Sequence, residues 1–184
     1  MNYKRLIKTV LFTAFIVLSV NTITSCKSGT IPDHIKPIEP FDVNKYNGEW
    51  YEIARFDFKH EKDLSNVTAN YSLNNDGSIK VVNKGFNYVK NKWEEANGKA
   101  KFTSSKNIGS LQVSFFGPFY AGYHIVMLEP NYNSVLIFGD DTDYIWILSR
   151  DKTINESTKE KYLAKAKEAG YDLNRLVWTN HDKQ

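Results

Sequence analysis

The chain has 184 residues, 24 of them basic and 21 acidic, and 41% of its residues are apolar. That length suits one domain, and the balance is that of a globular chain, not a disordered one. The first 25 positions hold Lys4, Arg5 and Lys8 and no acid, so the remainder carries 21 charges of each sign. A neutral body with no basic run excludes the electrostatic footprint of a nucleic-acid binder. A single cysteine excludes an intramolecular disulfide.

After the basic start, residues 10–20 form an apolar run. It is short for a bilayer span, which takes about 20 residues. A basic start, a short apolar core and small residues after it read as a signal peptide over residues 1–25. Ile23-Thr24-Ser25-Cys26 then resembles the bacterial lipobox. The resemblance implies cleavage before Cys26, lipid on its thiol and acylation of the new amine. The plainer alternative is a soluble exported protein with a stray cysteine. Lys27 follows the cysteine, and the absence of Asp there points to the outer membrane. Residues 26–40 read as a lipidated tether, because Ser28-Gly29 and the prolines Pro32, Pro37 and Pro40 disfavour helix and sheet.

The body, residues 41–180, alternates in short segments broken by turn signals. Strands are predicted over 49–56, 67–73, 79–86, 92–102, 110–116, 122–129, 134–139 and 143–149. Asn74-Asn75-Asp76-Gly77 supplies residues that tolerate the positive φ of a tight turn. Even strand spacing predicts an all-β sandwich or an up-and-down barrel. One face is apolar and aromatic with Ala54, Ala69, Ala96, Gly98 and Ala100 scattered through it. These small residues leave space, but alternation alone leaves a hollow barrel and a solid core equally open.

The exception to the strands is a helix at about 155–169. Asn155 is an N-cap, Ile154 a staple, Tyr162, Leu163, Ala166 and Ala169 recur at helical spacing, and Gly170 is a left-handed stop. Its apolar stripe fits the outer wall of a barrel. A membrane-surface helix is the rival reading, and the glutamates that offset its lysines argue against it. Residues 173–178 read as one further short strand.

Gly48-Glu49-Trp50-Tyr51 opens the first strand, Thr142-Asp143-Tyr144 opens the last barrel strand and Arg150 closes it. This order resembles the lipocalin family. Residues 50–56, 114–119 and 146–150 are similar to those of the bacterial lipoprotein lipocalins, relatives of apolipoprotein D and of plant temperature-induced lipocalins. The resemblance covers about residues 38–179. It implies an eight-stranded antiparallel barrel, open at one end, with the helix packed outside. It further implies that Trp50 plugs the closed end, that Arg150 packs across it, and that Thr142 and Asp143 order the turn beside that same end.

The implied function is binding of a small hydrophobic ligand, a fatty acid or lysophospholipid, in the barrel. With Trp50 inward, the expected lumen set is Ala54, Phe56, Ala69, Tyr71, Val81, Asn83, Ala96, Gly98, Ala100, Leu111, Val113, Phe115, Tyr123, Ile125, Met127, Leu136, Phe138, Tyr144, Trp146 and Leu148. A one-residue slip on any strand inverts that phase. Head-group selection is expected from Tyr71, Asn83, Tyr123 and Tyr144, or from Lys59, His60 and Lys62 in the 57–66 connection. No cofactor or metal is expected: the four histidines form no metal-ligand spacing, and no nucleophile motif is present. An enzyme is therefore disfavoured. The rival is an envelope stress or scaffold lipoprotein acting through protein contacts. Phe116, Phe119 and Tyr120 either contact a partner or second copy, which leaves a homodimer open, or cover the wall under the helix.

Overall fold

The computed structural model describes residues 32–59 and 61–183. The expected signal peptide, Cys26, Lys27 and His60 lie outside the described residues. Eight strands alternate up and down: β1 (Gly48–Phe56), β2 (Leu64–Leu73), β3 (Ile79–Asn87), β4 (Lys92–Phe102), β5 (Ser110–Phe116), β6 (Phe119–Leu128), β7 (Ser134–Phe138) and β8 (Ile145–Ser149). Each pairs antiparallel with its sequence neighbour, and β1 pairs with both β8 and β2, so the sheet closes into a barrel. A short helix, α1 (Val43–Tyr46), precedes the barrel. A longer one, α2 (Glu156–Glu168), follows it, and then come a 3-10 turn (Leu173–Arg175) and β9 (Leu176–Trp178). β9 pairs with β1 at Ala54–Phe56, where β1 has parted from β2. The following residues continue that seam, with the Asn66 N–H donating to Asn180 O at 2.7 Å.

Apolar residues divide between two cores. One fills the closed end of the lumen and contains Phe41, Val43, Tyr46, Trp50, Leu111, Ile125, Val135 and Ile137. The other lies outside the barrel, between its wall and α2, and contains Ile35, Ile53, Ala54, Phe56, Val126, Leu136, Phe138, Tyr162, Ala166 and Tyr171. α2 begins as its sequence dictates: Asn155 Oδ1 accepts from the Ser157 N–H at 2.9 Å. It ends at Gly170, whose φ of 89° suits only a residue without a Cβ.

Five residues expected in the lumen face the outer core instead. On β1 a register shift between Glu52 and Ala54 reverses the alternation, so Ala54 and Phe56 point at α2. A second shift between Ile125 and Met127 does the same to Met127. On β7 all five residues are buried, because one face meets the lumen and the other meets α2. Ser134 is the only polar residue of this strand and is itself buried, so no exposed polar residue marks the phase there. Val135 and Ile137 point inward while Leu136 and Phe138 point outward.

The chain before α1 is part of the fold. Ile38 donates to Ile125 O at 2.8 Å and accepts from the Gly109 N–H at 3.0 Å. Ile35 is buried in the outer core, so the stretch expected as tether is welded to the wall from Ile35 onward.

Trp50 and Arg150 close the barrel. The Trp50 indole is fully buried, and its Nε1 donates to Tyr46 O at 2.8 Å. The Arg150 guanidinium lies 3.9 Å from the indole centroid. It donates to Lys45 O, Tyr46 O, Asn47 O, Glu49 O and Tyr132 O at 2.6–3.4 Å. One side chain thus ties α1, the start of β1 and the β6–β7 turn together. Thr142 and Asp143 do not belong to this end. They sit in the β7–β8 turn, and Arg150 follows the far end of β8, so the antiparallel pairing places that turn at the open mouth. Tyr132 holds the closed-end position instead, its hydroxyl accepting from the Asp42 N–H at 3.0 Å. Arg150→Ala removes the stacking and leaves carbonyls without a donor. It is expected to lower stability by about 2–4 kcal/mol, measured by chemical denaturation, with no change in which ligands bind.

Candidate functional site

Above the closed end the barrel is hollow. A cavity of about 450 Å³ opens at the mouth, inside the range of roughly 300–1,000 Å³ usual for small-molecule sites. Its walls come from every second residue of most strands. β2 supplies Val67, Ala69 and Tyr71, β3 supplies Val81, Asn83 and Gly85, and β4 supplies Ala96. β5 supplies Val113 and Phe115, β6 supplies Tyr123, and β8 supplies Trp146 and Leu148, with Tyr144 at the turn. Ala100, Leu111 and Ile125 lie deeper, in the packed closed end. Gly98 belongs to the wall because a Cβ there would meet the Phe115 ring at 2.8 Å. Fifteen of the twenty residues expected inward therefore face the lumen, and eleven of those line its open part.

Two polar clusters interrupt the apolar wall. The floor is a chain of phenols: Tyr46 and Tyr71 each share a hydroxyl contact with Tyr123, at 2.6 and 2.9 Å. Burial raises all three above the ordinary tyrosine value, so they stay neutral. Two bonds among three hydroxyls leave one O–H for a further acceptor.

The second cluster is nearer the mouth. Glu52 and Glu61 line the cavity. Arg55 Nη1 donates to Glu52 Oε1 at 2.7 Å, and Arg55 Nη2 donates to Glu61 O at 2.7 Å. Trp146 Nε1 donates to Glu61 Oε2 at 3.1 Å. One buried cation cannot balance two buried carboxylates. Burial, and then the charge on Glu52, push Glu61 up to about 8, so it holds a proton at neutral pH. The Arg55–Glu52 ion pair is left as the compensated one.

The alternation from Trp50 already puts Glu52 on the lumen face, and that periodicity was the available signal. Arg55 and Glu61 carried none, because the bulge turns Arg55 inward and a loop brings Glu61 over. The same applies to Phe58 and Leu64. Lys59 and Lys62 belong to this loop and do not line the cavity. Phe116, Phe119 and Tyr120 are at the mouth and not beneath α2.

On the outer wall, His124 meets Ser110 Oγ through Nδ1 at 3.0 Å and Asp140 Oδ1 through Nε2 at 3.2 Å. The neighbouring N–H groups of Gly109, Ser110 and Gly122 are committed to Ile38 O, Ile108 O and Asp140 Oδ2. They hold β5, β6 and the β7–β8 turn together and leave none of themselves to stabilise an oxyanion.

Residues 41–181 match the lipocalin-like domain family. The outer membrane lipoprotein Blc of Citrobacter freundii is 46% identical over 156 residues, covering 85% of this chain and 88% of the relative. The protein of the same name from Vibrio cholerae is 41% identical over 165 residues, covering 89% and 95%. Among solved structures, insecticyanin from the tobacco hornworm Manduca sexta superposes with a TM-score of 0.68 at 18% identity, covering 84% of this chain and 87% of that one.

Glu61 also predicts a pH dependence. Its folded value of about 8 exceeds the ordinary 4.5, so between them the fold keeps a proton that the unfolded chain releases. Stability contributed by the protonated form is complete at low pH and declines as pH rises through that window. Denaturant titrations at pH 5.5 and 8.5 are expected to show the decline in the parent, and Glu61→Gln is expected to remove most of it.

Proposed function

This chain belongs to the lipocalin family, and from that premise we propose that its barrel carries one single-chain amphiphile, a fatty acid or lysophospholipid. On this reading the protein is anchored to the outer membrane through acylated Cys26, as the names and high identity of its bacterial relatives support.

The observation that carries the proposal is the distribution of polarity along the cavity. Ala69, Val81, Val113, Phe115 and Leu148 offer an apolar sleeve. A methylene takes up about as much space as a water, roughly 30 Å³, so the volume suits one acyl chain and not two. About ten buried methylenes contribute roughly 8 kcal/mol, a micromolar affinity before the cost of immobilising the chain. The head group then stays beside Glu61 and Tyr144. Neutral Glu61 suits an ester or phosphate oxygen better than a charged carboxylate of the protein would.

A scaffold role would not need the sleeve. Ala69→Phe fills it without adding a polar group. Titration with palmitate and a lysophosphatidylcholine, followed by displacement of a fluorescent fatty acid, is expected to lose affinity at least about tenfold in this variant. Its thermal midpoint is expected to stay within a few degrees of the parent's. Undiminished binding would place the ligand elsewhere. A parent that binds neither probe would favour the scaffold.

A further inference from the structure

The exposed apolar residues are not scattered. Seven of the ten large ones among the described residues ring the open mouth. Phe119 is 79% exposed, Val89 68% and Phe116 65%, and Tyr88, Trp93 and Tyr144 join them. They come from three separate turns: the β3–β4, β5–β6 and β7–β8 connections. The closed end contributes only Leu73 to that set. Lysines stand among the aromatics: the Lys84 ammonium lies 4.7 Å from the Trp93 ring centroid, and Lys90 and Lys92 flank the tip of the β3–β4 turn. Rings and lysine stems with wet ends suit the boundary between hydrocarbon and water. A concentration of exposed apolar side chains at one end, rimmed by polar groups, marks an interaction surface.

The N-terminal strap says what covers it. Ile38 is bonded to Ile125 near the closed end, but the chain before it climbs the outer wall. His34 Nε2 meets Glu168 Oε1 at 3.1 Å, at the last residue of α2. Pro32 and Asp33 line a shallow cleft with Gly139 and Asp140, in the β7–β8 turn at the mouth. Five residues stand between Cys26 and Pro32, which makes six Cα-to-Cα steps. Fully extended they reach about 20 Å. The mouth is therefore held within that distance of wherever Cys26 is moored.

We propose that the open rim is a membrane-docking surface whose occupant is the headgroup layer of the same bilayer that holds Cys26. The strap leaves the barrel on the mouth side, so a short link draws the aromatic rim, and not the closed end, onto the lipid. The ligand then passes between bilayer and cavity without crossing bulk water. This inference rests on the lipid anchor proposed above but not on the identity of the carried lipid.

The test uses the full chain, exported and acylated in a bacterial host and reconstituted into phosphatidylethanolamine–phosphatidylglycerol vesicles with brominated acyl chains. A fluorophore is attached in turn through Val89→Cys at the rim and Leu73→Cys at the closed end, Cys26 being blocked by its own lipid. Bromine quenching is expected at position 89 and not at 73. Partition of a non-acylated Cys26→Ser chain into the same vesicles is expected to fall at least about tenfold when Val89→Asp and Trp93→Ser are added. Neither side chain lines the cavity, so unchanged fatty-acid binding shows that the variant is folded. Equal quenching at both positions, or none at 89, overturns docking. So does cross-linking of Val89→Cys between two copies, which would make the rim a dimer interface. If mass spectrometry finds Cys26 without acyl chains, the anchor reading fails by itself. The Cys26→Ser partition then decides: rim-dependent partition upholds docking, and no partition overturns it.

Discussion

The two ends of this barrel must be treated in opposite ways, and Arg150 on the Trp50 indole decides which end is shut. A barrel of eight strands is narrow enough for its own side chains to fill. Here α1 enters from one end, with the Tyr46 ring against Trp50 and the Phe41 ring against Tyr46. Arg150 fixes that plug by donating to carbonyls of three segments. With the apolar filling spent at that end, Ala69 of β2 and Ala96 of β4 leave space in the upper lumen. The hollow follows from the plug.

The strand order, the helix with its caps and the short last strand were legible because each has a local signature. Alternation locates strands, Asn155 and Gly170 bracket a helix, and Asn-Asp-Gly turns separate hairpins. Which face each strand presents was legible only where polar residues mark the outside, as on β4 and β5. On β7 the four residues after the buried Ser134 are all apolar, because α2 covers the outer face, so Leu136 and Phe138 were poorly phased from their own strand. At Ala54 and Met127 the error came from bulges, which leave no mark in composition. The Thr142-Asp143-Tyr144 string is a caution of another kind: a three-residue motif can occur in the wrong turn, and only the pairing of β7 with β8 shows that this one is at the mouth.

The polar part of the site was the least legible. Glu52, Arg55 and Glu61 converge through a bulge and a loop, and no spacing rule announces them. Their arrangement explains why β1 parts from β2 near the mouth. The gap lets a charged cluster approach the lumen while β9 and the residues after it cover the seam. An apolar sleeve, neutral phenols below and a single compensated ion pair above together favour a ligand with a long tail and a modest head.

The hollow is proposed to hold one acyl lipid in the cell envelope. Native mass spectrometry of the protein extracted from its own membrane tests that proposal most directly. A mass increment of one single-chain amphiphile per barrel is expected, lost in Ala69→Phe. A barrel that leaves the envelope empty at every extraction, or that retains the same increment in the filled variant, would contradict it.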